Sequence, residues 1–352
     1  MKARRTAIVQ PVSPVVDVHT HFGFKLKSNE QALDDFVAVM DANRIAVCVS
    51  LDGRLGSTFE DHRDFLWKKH KDRFVVFVHL DWKGQGEDEK PSTWDCHRPG
   101  FAKRSAERIH EAVTAGASGL KIFKRFGLNY KNPDGSLINI DDERWDPIWQ
   151  ACGEAKIPVI MHTADPAAFF DEVDATNERW EELSRHPDWI VQGSDAPSRT
   201  ELLAARNRII RRHPGTTFIG AHVANNSEDL KTVSKWLDEM PNLQVEFASR
   251  ISELGRQPYT SRRFLIRYAD RVMFGTDGPQ PAARLNSYWR FLETRDENFP
   301  YSEKLPPPQG FWNIHGVGLP EEVLKKIYSE NAARIIPGVS DRLRRFQSSE
   351  GS

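Results

Sequence analysis

Val16-Asp17-Val18-His19-Thr20-His21 reads as the end of a buried β-strand that carries two imidazoles out of an apolar run. Residues i and i+2 of a strand share a face, so His19 and His21 aim at a common point. Taken singly, H-x-H is a weak signal that arises by chance in any histidine-bearing chain. Three more short apolar runs also end on a histidine or an aspartate, namely Val159-Ile160-Met161-His162, Ile219-Gly220-Ala221-His222 and Met273-Phe274-Gly275-Thr276-Asp277. Around these four, eight such runs recur along the chain: Val15–Thr20, Ala46–Leu51, Phe74–Leu80, Gly119–Phe123, Pro158–His162, Thr217–His222, Leu243–Phe247 and Val272–Gly275. Their Val, Ile and Phe content fits strands buried on both faces. Helix-period stretches separate them, at Leu33–Asn43, Glu60–His70, Ala102–Ala115, Arg144–Ala155, Thr200–His213, Asp229–Glu239 and Ser261–Tyr268. Eight strands alternating with helices predict an α/β fold of the (β/α)8 TIM-barrel type. A doubly wound open sheet is the alternative, but no glycine-rich phosphate loop follows the first strand.

The chain of 352 residues is long enough for one barrel with insertions, read as a single domain over residues 1–338 with a frayed tail at 339–352. Two stretches exceed ordinary barrel loops: Ala164–Arg199 after the fifth strand, and Asp277–Gly318 after the eighth. Both leave C-terminal strand ends, where barrel active sites form, and both carry aromatics suited to a lid over a substrate. With 49 Lys+Arg against 50 Asp+Glu, the net charge of -1 argues against a nucleic-acid partner. No run approaches the ~20 apolar residues of a membrane span. Gln10, Pro11 and Pro14 interrupt any secretory h-region, so a cytoplasmic location is expected. Cys48, Cys96 and Cys152 are too scattered for a disulfide framework or a zinc ribbon. A homodimer is the expected assembly.

Among the 12 histidines, four stand at C-terminal strand ends with Asp277. Any one of them alone reads best as a hydrogen-bonded core histidine. Together, neutral imidazoles and a carboxylate around one barrel mouth suit Zn²⁺ or a similar divalent ion, with Mn or Fe as alternatives and a position left open. His62, His70, His97, His110, His186 and His213 fall on helices or loops beside charged residues and read as solvated.

These elements, in this order, resemble the metal-dependent amidohydrolase superfamily, in its amidohydrolase-related branch of decarboxylases and lactonases. Ile327-Tyr328-Ser329-Glu330-Asn331-Ala332-Ala333-Arg334 also looks like the terminal helix of that branch. The resemblance implies that His19, His21, His162 and Asp277 bind a catalytic metal, and that His222 binds a second metal or serves as acid/base. In Gly119-Leu120-Lys121-Ile122-Phe123-Lys124, alternation turns Lys121 inward, where it looks like the bridging lysine of dihydropyrimidinase-like enzymes. A lysine inside a barrel is costly unless paired or neutralised. Its pKa shifts readily on burial, which opens a route to a carboxylated Lys121 spanning two ions. A plain Lys121 ammonium, or Lys124, on the substrate is the alternative.

The lysine tips the expectation to a hydrolase, in which metal-activated water cleaves an amide, lactone or related bond of a small anionic substrate. Asp277 would move the proton and His222 would support the oxyanion. The alternative is a non-oxidative decarboxylase or hydratase of a small aromatic or unsaturated carboxylic acid, with His222 or Asp277 protonating carbon. An iron-dependent oxidative variant, or a low-activity partner subunit, is more remote. Arg250, Lys124 and His79 are the expected substrate-binding residues; Asp52 reads as a supporting or structural group, and Glu246, on the same face as Ala248 and Arg250, as the partner of a neighbouring cation.

Overall fold

The computed structural model describes residues 4–351. Its strands are β1 (Val15–Thr20), β2 (Ile45–Arg54), β3 (Phe74–His79), β4 (Ala117–Ile122), β5 (Val159–Met161), β6 (Phe218–Gly220), β7 (Leu243–Glu246) and β8 (Val272–Met273). They form one sheet in sequence order, every neighbouring pair parallel. Val18 N–H to Phe274 O at 3.0 Å and His21 N–H to Gly278 O at 2.7 Å draw β1 against the chain after β8 and close the barrel. The TIM-barrel expectation therefore holds.

The longer helices are α1 (Glu30–Ala42), α2 (Ser57–His70), α3 (Phe101–Thr114), α4 (Asp146–Glu154), α5 (Arg199–Arg212), α6 (Leu230–Glu239), α7 (Pro258–Arg267), α8 (Ala282–Glu293) and α9 (Val339–Glu350). Apolar side chains pack in two layers. One lies between strands and helices, with Phe36, Leu66, Ile109, Val76 and Leu120. The other fills the barrel, with Val16, Val49, Phe77, Ile160, Ile219 and Met273. Among the described residues, no helix is long and apolar enough to cross a membrane.

Two expectations are corrected. The stretch expected to fray, 339–352, is a docked helix over nearly its whole length. Helix α9 buries Val339 and Leu343 in the same cluster as the barrel interior, with Phe346 packed beside them. Those positions recur at i, i+4 and i+7, a helix stripe that the charged residues between them obscure. The stretch after the eighth strand is not one long loop either. It contains α8, whose Leu285, Tyr288, Trp289 and Leu292 are buried at helix spacing, followed by a two-stranded hairpin, Phe299–Pro300 with Asn313–Ile314. The segment between β5 and α5 has only short helical turns, at Ala167–Phe169, Trp180–Leu183 and Pro187–Trp189.

Candidate metal centre and active-site cavity

The register of β1 against β2 shifts between Asp17 and Thr20. Such irregularities re-aim side chains beside active sites. Asp17 is fixed on the β8 end, accepting hydrogen bonds from Thr276 Oγ1 at 2.5 Å and from Thr276 N–H at 3.1 Å. Burial pushes its carboxyl up to about 7, against these hydrogen bonds. His19 and His21 turn into the mouth, with their Nε2 atoms 3.3 Å apart. Asp277 Oδ1 lies 3.4 Å from His21 Nε2 and 3.8 Å from His19 Nε2.

The far side of each ring fixes its tautomer. His19 Nδ1–H donates to Glu246 Oε1 at 2.9 Å, and His21 Nδ1–H to Asp52 Oδ1 at 2.6 Å. Both Nε2 atoms are then lone pairs, facing each other and a carboxylate oxygen. Three electron-rich atoms this close repel unless a cation lies between them, and two imidazoles with a carboxylate are a donor set for Zn²⁺, Mn²⁺ or Fe²⁺. Outer carboxylates that orient ligating histidines are the usual accompaniment of such a centre. The residues present thus fit a divalent ion.

His222 completes the pattern differently. Its Nδ1–H donates to Ala248 O at 2.8 Å and its backbone N–H to Glu246 Oε1 at 2.9 Å. Its ring lies 4.5 Å from that of His162 and 4.9 Å from that of His19, centroid to centroid. The buried His162 Nε2 has no hydrogen-bond partner among the described residues, its nearest carboxylate being Asp165 at 3.7 Å. Burial holds His162 and His222 neutral, with pKa values pushed down to about 4 and about 3. Lys121 is turned inward and buried, and its Nζ has no hydrogen-bond partner among the described residues. Burial lowers its pKa to about 8.

Backbone strain gathers at these strand ends. His222, Val223, Ala224 and Asn225 run in the left-handed region at φ 57°, 59°, 53° and 52°, and Ser249 and Asp277 share it at 57° and 62°. Strain of this kind concentrates at functional sites. Gly275 is required by a close approach: a Cβ there would stand 2.7 Å from Glu246 Oε2.

A cavity of about 780 Å³ opens over the centre, with His162, His222 and Asp277 in its lining. Phe169 and Trp189, from the segment after β5, stack on one wall of the cavity at 6.3 Å. Arg250 and Lys124 line the cavity, Lys124 held by Asp165 at 2.7 Å. His79 does not line it: its ring packs edge-on against Phe123 at 5.4 Å. Nor are all the outlying histidines solvated. His62, His70 and His213 are half-buried on Ser50, Asp34 and Asp146.

A sequence model of the amidohydrolase family matches residues 16–338. The chain belongs to the amidohydrolase family. Solved structures with the same fold include 2,6-dihydroxybenzoate decarboxylase in complex with 2,6-dihydroxybenzoate, at 16% identity and a TM-score of 0.54, with 92% of this chain and 99% of that one covered. A dihydroxybenzoic acid decarboxylase from Polaromonas sp. JS666, with bound manganese and the inhibitor 2-nitroresorcinol, is similar at 15% identity and a TM-score of 0.53, covering 92% and 97%. An uncharacterized TIM-barrel protein of Bordetella bronchiseptica aligns at 14% identity and a TM-score of 0.52, covering 94% and 100%. In this family member, sequence reading underweighted Glu246, a buried strand carboxylate serving the imidazole of β1 across the barrel. Its alternation onto the inner face was the available signal.

Proposed function

We propose that this amidohydrolase-family chain is a divalent-metal-dependent, non-oxidative decarboxylase of a small aromatic carboxylic acid. The observation that carries the reading is the convergence of His19 Nε2, His21 Nε2 and Asp277 Oδ1, the last of these lining a cavity with a stacked aromatic wall. Similarity to two aromatic-acid decarboxylases, one with manganese bound, adds support. His19, His21 and Asp277 would hold the ion, with His162 beside them. Bound there, the ion supplies a positive centre that orients the substrate carboxylate and a neighbouring hydroxyl. Phe169 and Trp189 hold the ring and keep water away. Asp277, at the cavity floor, accepts the hydroxyl proton and returns it to the ring carbon as the carbon–carbon bond breaks and carbon dioxide leaves. The neutral His222, anchored on Ala248, fixes that end of the ring.

One observation favours hydrolysis instead. The buried Lys121 amine, without a hydrogen-bond partner among the described residues, has the lowered pKa that carboxylation requires, and a carboxylated lysine would bring in a second ion. Incubating the manganese- or zinc-loaded protein with hydroxybenzoates, aryl lactones and anilides separates the two. Release of carbon dioxide, with deuterium from D₂O at the vacated ring carbon, is expected. Lactone or amide cleavage with no carbon dioxide from any acid would overturn the decarboxylase reading. Asp277→Asn is expected to lower turnover by at least about 100-fold, in line with loss of a general acid–base group.

A further inference from the structure

Arg250 stands just beyond β7, lines the cavity and is only 8% exposed. A guanidinium this deep normally has its fork filled, because unpaired buried charge is costly. Here only Nη1 is engaged among the described residues, by Ser249 O at 3.2 Å and by Glu253 Oε1 at a long 3.4 Å. Glu253 is committed elsewhere: Oε1 takes the closer Nη2 of Arg179, and Oε2 accepts from Ser252 Oγ at 2.6 Å. Arg179 is matched in turn by Glu182 at 2.7 Å. So Nε and Nη2 of Arg250 carry no hydrogen bond among the described residues, on a group shaped to take a carboxylate with two parallel bonds.

Besides Glu253, no carboxylate among the described residues lies within ion-pair distance of Arg250. Six cations line the cavity, Lys25, Lys124, Arg179, Arg250, Arg284 and Lys304, against the four acids Asp165, Glu182, Asp277 and Glu303. A bound divalent ion would widen that excess. Arg250 is also close to the reacting end, because the Ser249 carbonyl it grips belongs to the residue whose Oγ donates to Asp277 Oδ2 at 3.3 Å. At about 780 Å³ the cavity is in the range that encloses drug-sized ligands, about 300–1,000 Å³, so a ring with a second substituent has room.

We infer that Arg250 forms a second anion subsite, taking a carboxylate on the same substrate whose first carboxylate lies at the His19–His21–Asp277 end. The preferred substrates are then aromatic diacids rather than monoacids. This rests on the proposed function for the class of acid, but binding tests it independently of the bond that breaks.

The test is calorimetric titration of the manganese-loaded protein with benzoate and with the 1,3- and 1,4-dicarboxylates of benzene. At least one diacid is expected to bind about 10- to 100-fold tighter than benzoate, the range of a charge-assisted pair. R250Q is expected to abolish that preference while leaving benzoate affinity within about two-fold, which also reports that the cavity is intact. R250K, with a point charge but no fork, is expected to fall between the two. Equal affinity for all three ligands in the unaltered protein would overturn the subsite. So would R250Q and R250K both weakening benzoate as much as the diacid. Carbon dioxide release is measured separately, on 4-hydroxybenzene-1,3-dicarboxylate, which carries the hydroxyl that the proposed chemistry needs: preferential binding of this diacid with no carbon dioxide released sinks the decarboxylase reading and leaves the subsite standing.

Discussion

Glu246 has no exposed surface, and both its oxygens are acceptors: Oε1 from His19 Nδ1–H and His222 N–H, Oε2 from Ala248 N–H at 2.5 Å. A glutamine is isosteric, but one of its termini is a donor, so Glu246→Gln must set a donor against a donor. Metal affinity is expected to fall about 10- to 100-fold, as when a histidine ligand loses its outer carboxylate. A titration of the variant with Mn²⁺ checks this, and unchanged affinity would show that Glu246 does not orient His19. At this scale the sequence made the imidazoles legible, because H-x-H and two further strand-terminal histidines need only alternation. It left the role of Glu246 open, since the partner lies across the barrel, 227 positions away along the chain. The inward turn of Lys121 was likewise legible, whereas the packing of His79 against Phe123 was not.

Four consecutive left-handed residues are the most strained element, at about 1–2 kcal/mol each for an L-residue. Helix α5 braces them. Arg206 Nη1 donates to Ala224 O at 2.5 Å, and Arg199 Nη2 to Asn225 O at 2.6 Å. Arg199 also reaches Asp165 O at 3.0 Å, and the Asn225 side chain bonds Thr163 N–H and Ala164 O, so the ends of β5 and β6 are tied together. Arg206 is fully buried with no carboxylate partner among the described residues, lies 4.7 Å over Trp236, and burial pushes its pKa down to about 9. Arg206→Met would orphan the Ala224 carbonyl and release the turn. We expect a stability loss of about 1–3 kcal/mol in denaturant unfolding, with weaker turnover. A variant as stable and as active as the parent would contradict the brace.

Another element-scale contact gives a pH dependence. The His62 ring on α2 bonds Ser50 Oγ of β2 at 2.8 Å, and burial lowers its pKa from 6.5. The unfolded chain therefore binds the proton more readily, so this stability is present above pH 6.5 and is lost as pH falls through the folded value. Unfolding of His62→Gln between about pH 7 and pH 5 is expected to show a shallower acid slope, and an unchanged slope would show that His62 does not contribute to it. Helix positions were legible from the 3.6-residue period. The strained turn was not, because Val223 and Ala224 carry no glycine or asparagine signal for positive φ.

Across the whole molecule, the barrel was legible because eight doubly buried strands alternate with amphipathic helices. The extra helices α8 and α9 were not, because proline and charge surround their apolar stripes. Helix α9 joins Val339 and Leu343 to the barrel-interior cluster, and Glu350 reaches Arg44 at 2.7 Å. Truncation after Gly338 is expected to cost about 3 kcal/mol or more, given roughly 1.5–3 kcal/mol for each buried aliphatic side chain. A thermal melt equal to that of the full chain would show α9 to be dispensable.

The proposed chemistry depends on one ion held by His19, His21 and Asp277 at the mouth of this barrel. Metal stoichiometry of manganese-loaded protein, compared with His19→Ala under the same loading, tests this most directly. Bound metal is expected in the parent, and its loss in His19→Ala with circular dichroism unchanged. A parent that holds no metal with its ligands intact, or a folded His19→Ala protein that retains its full metal content, would contradict the metal centre.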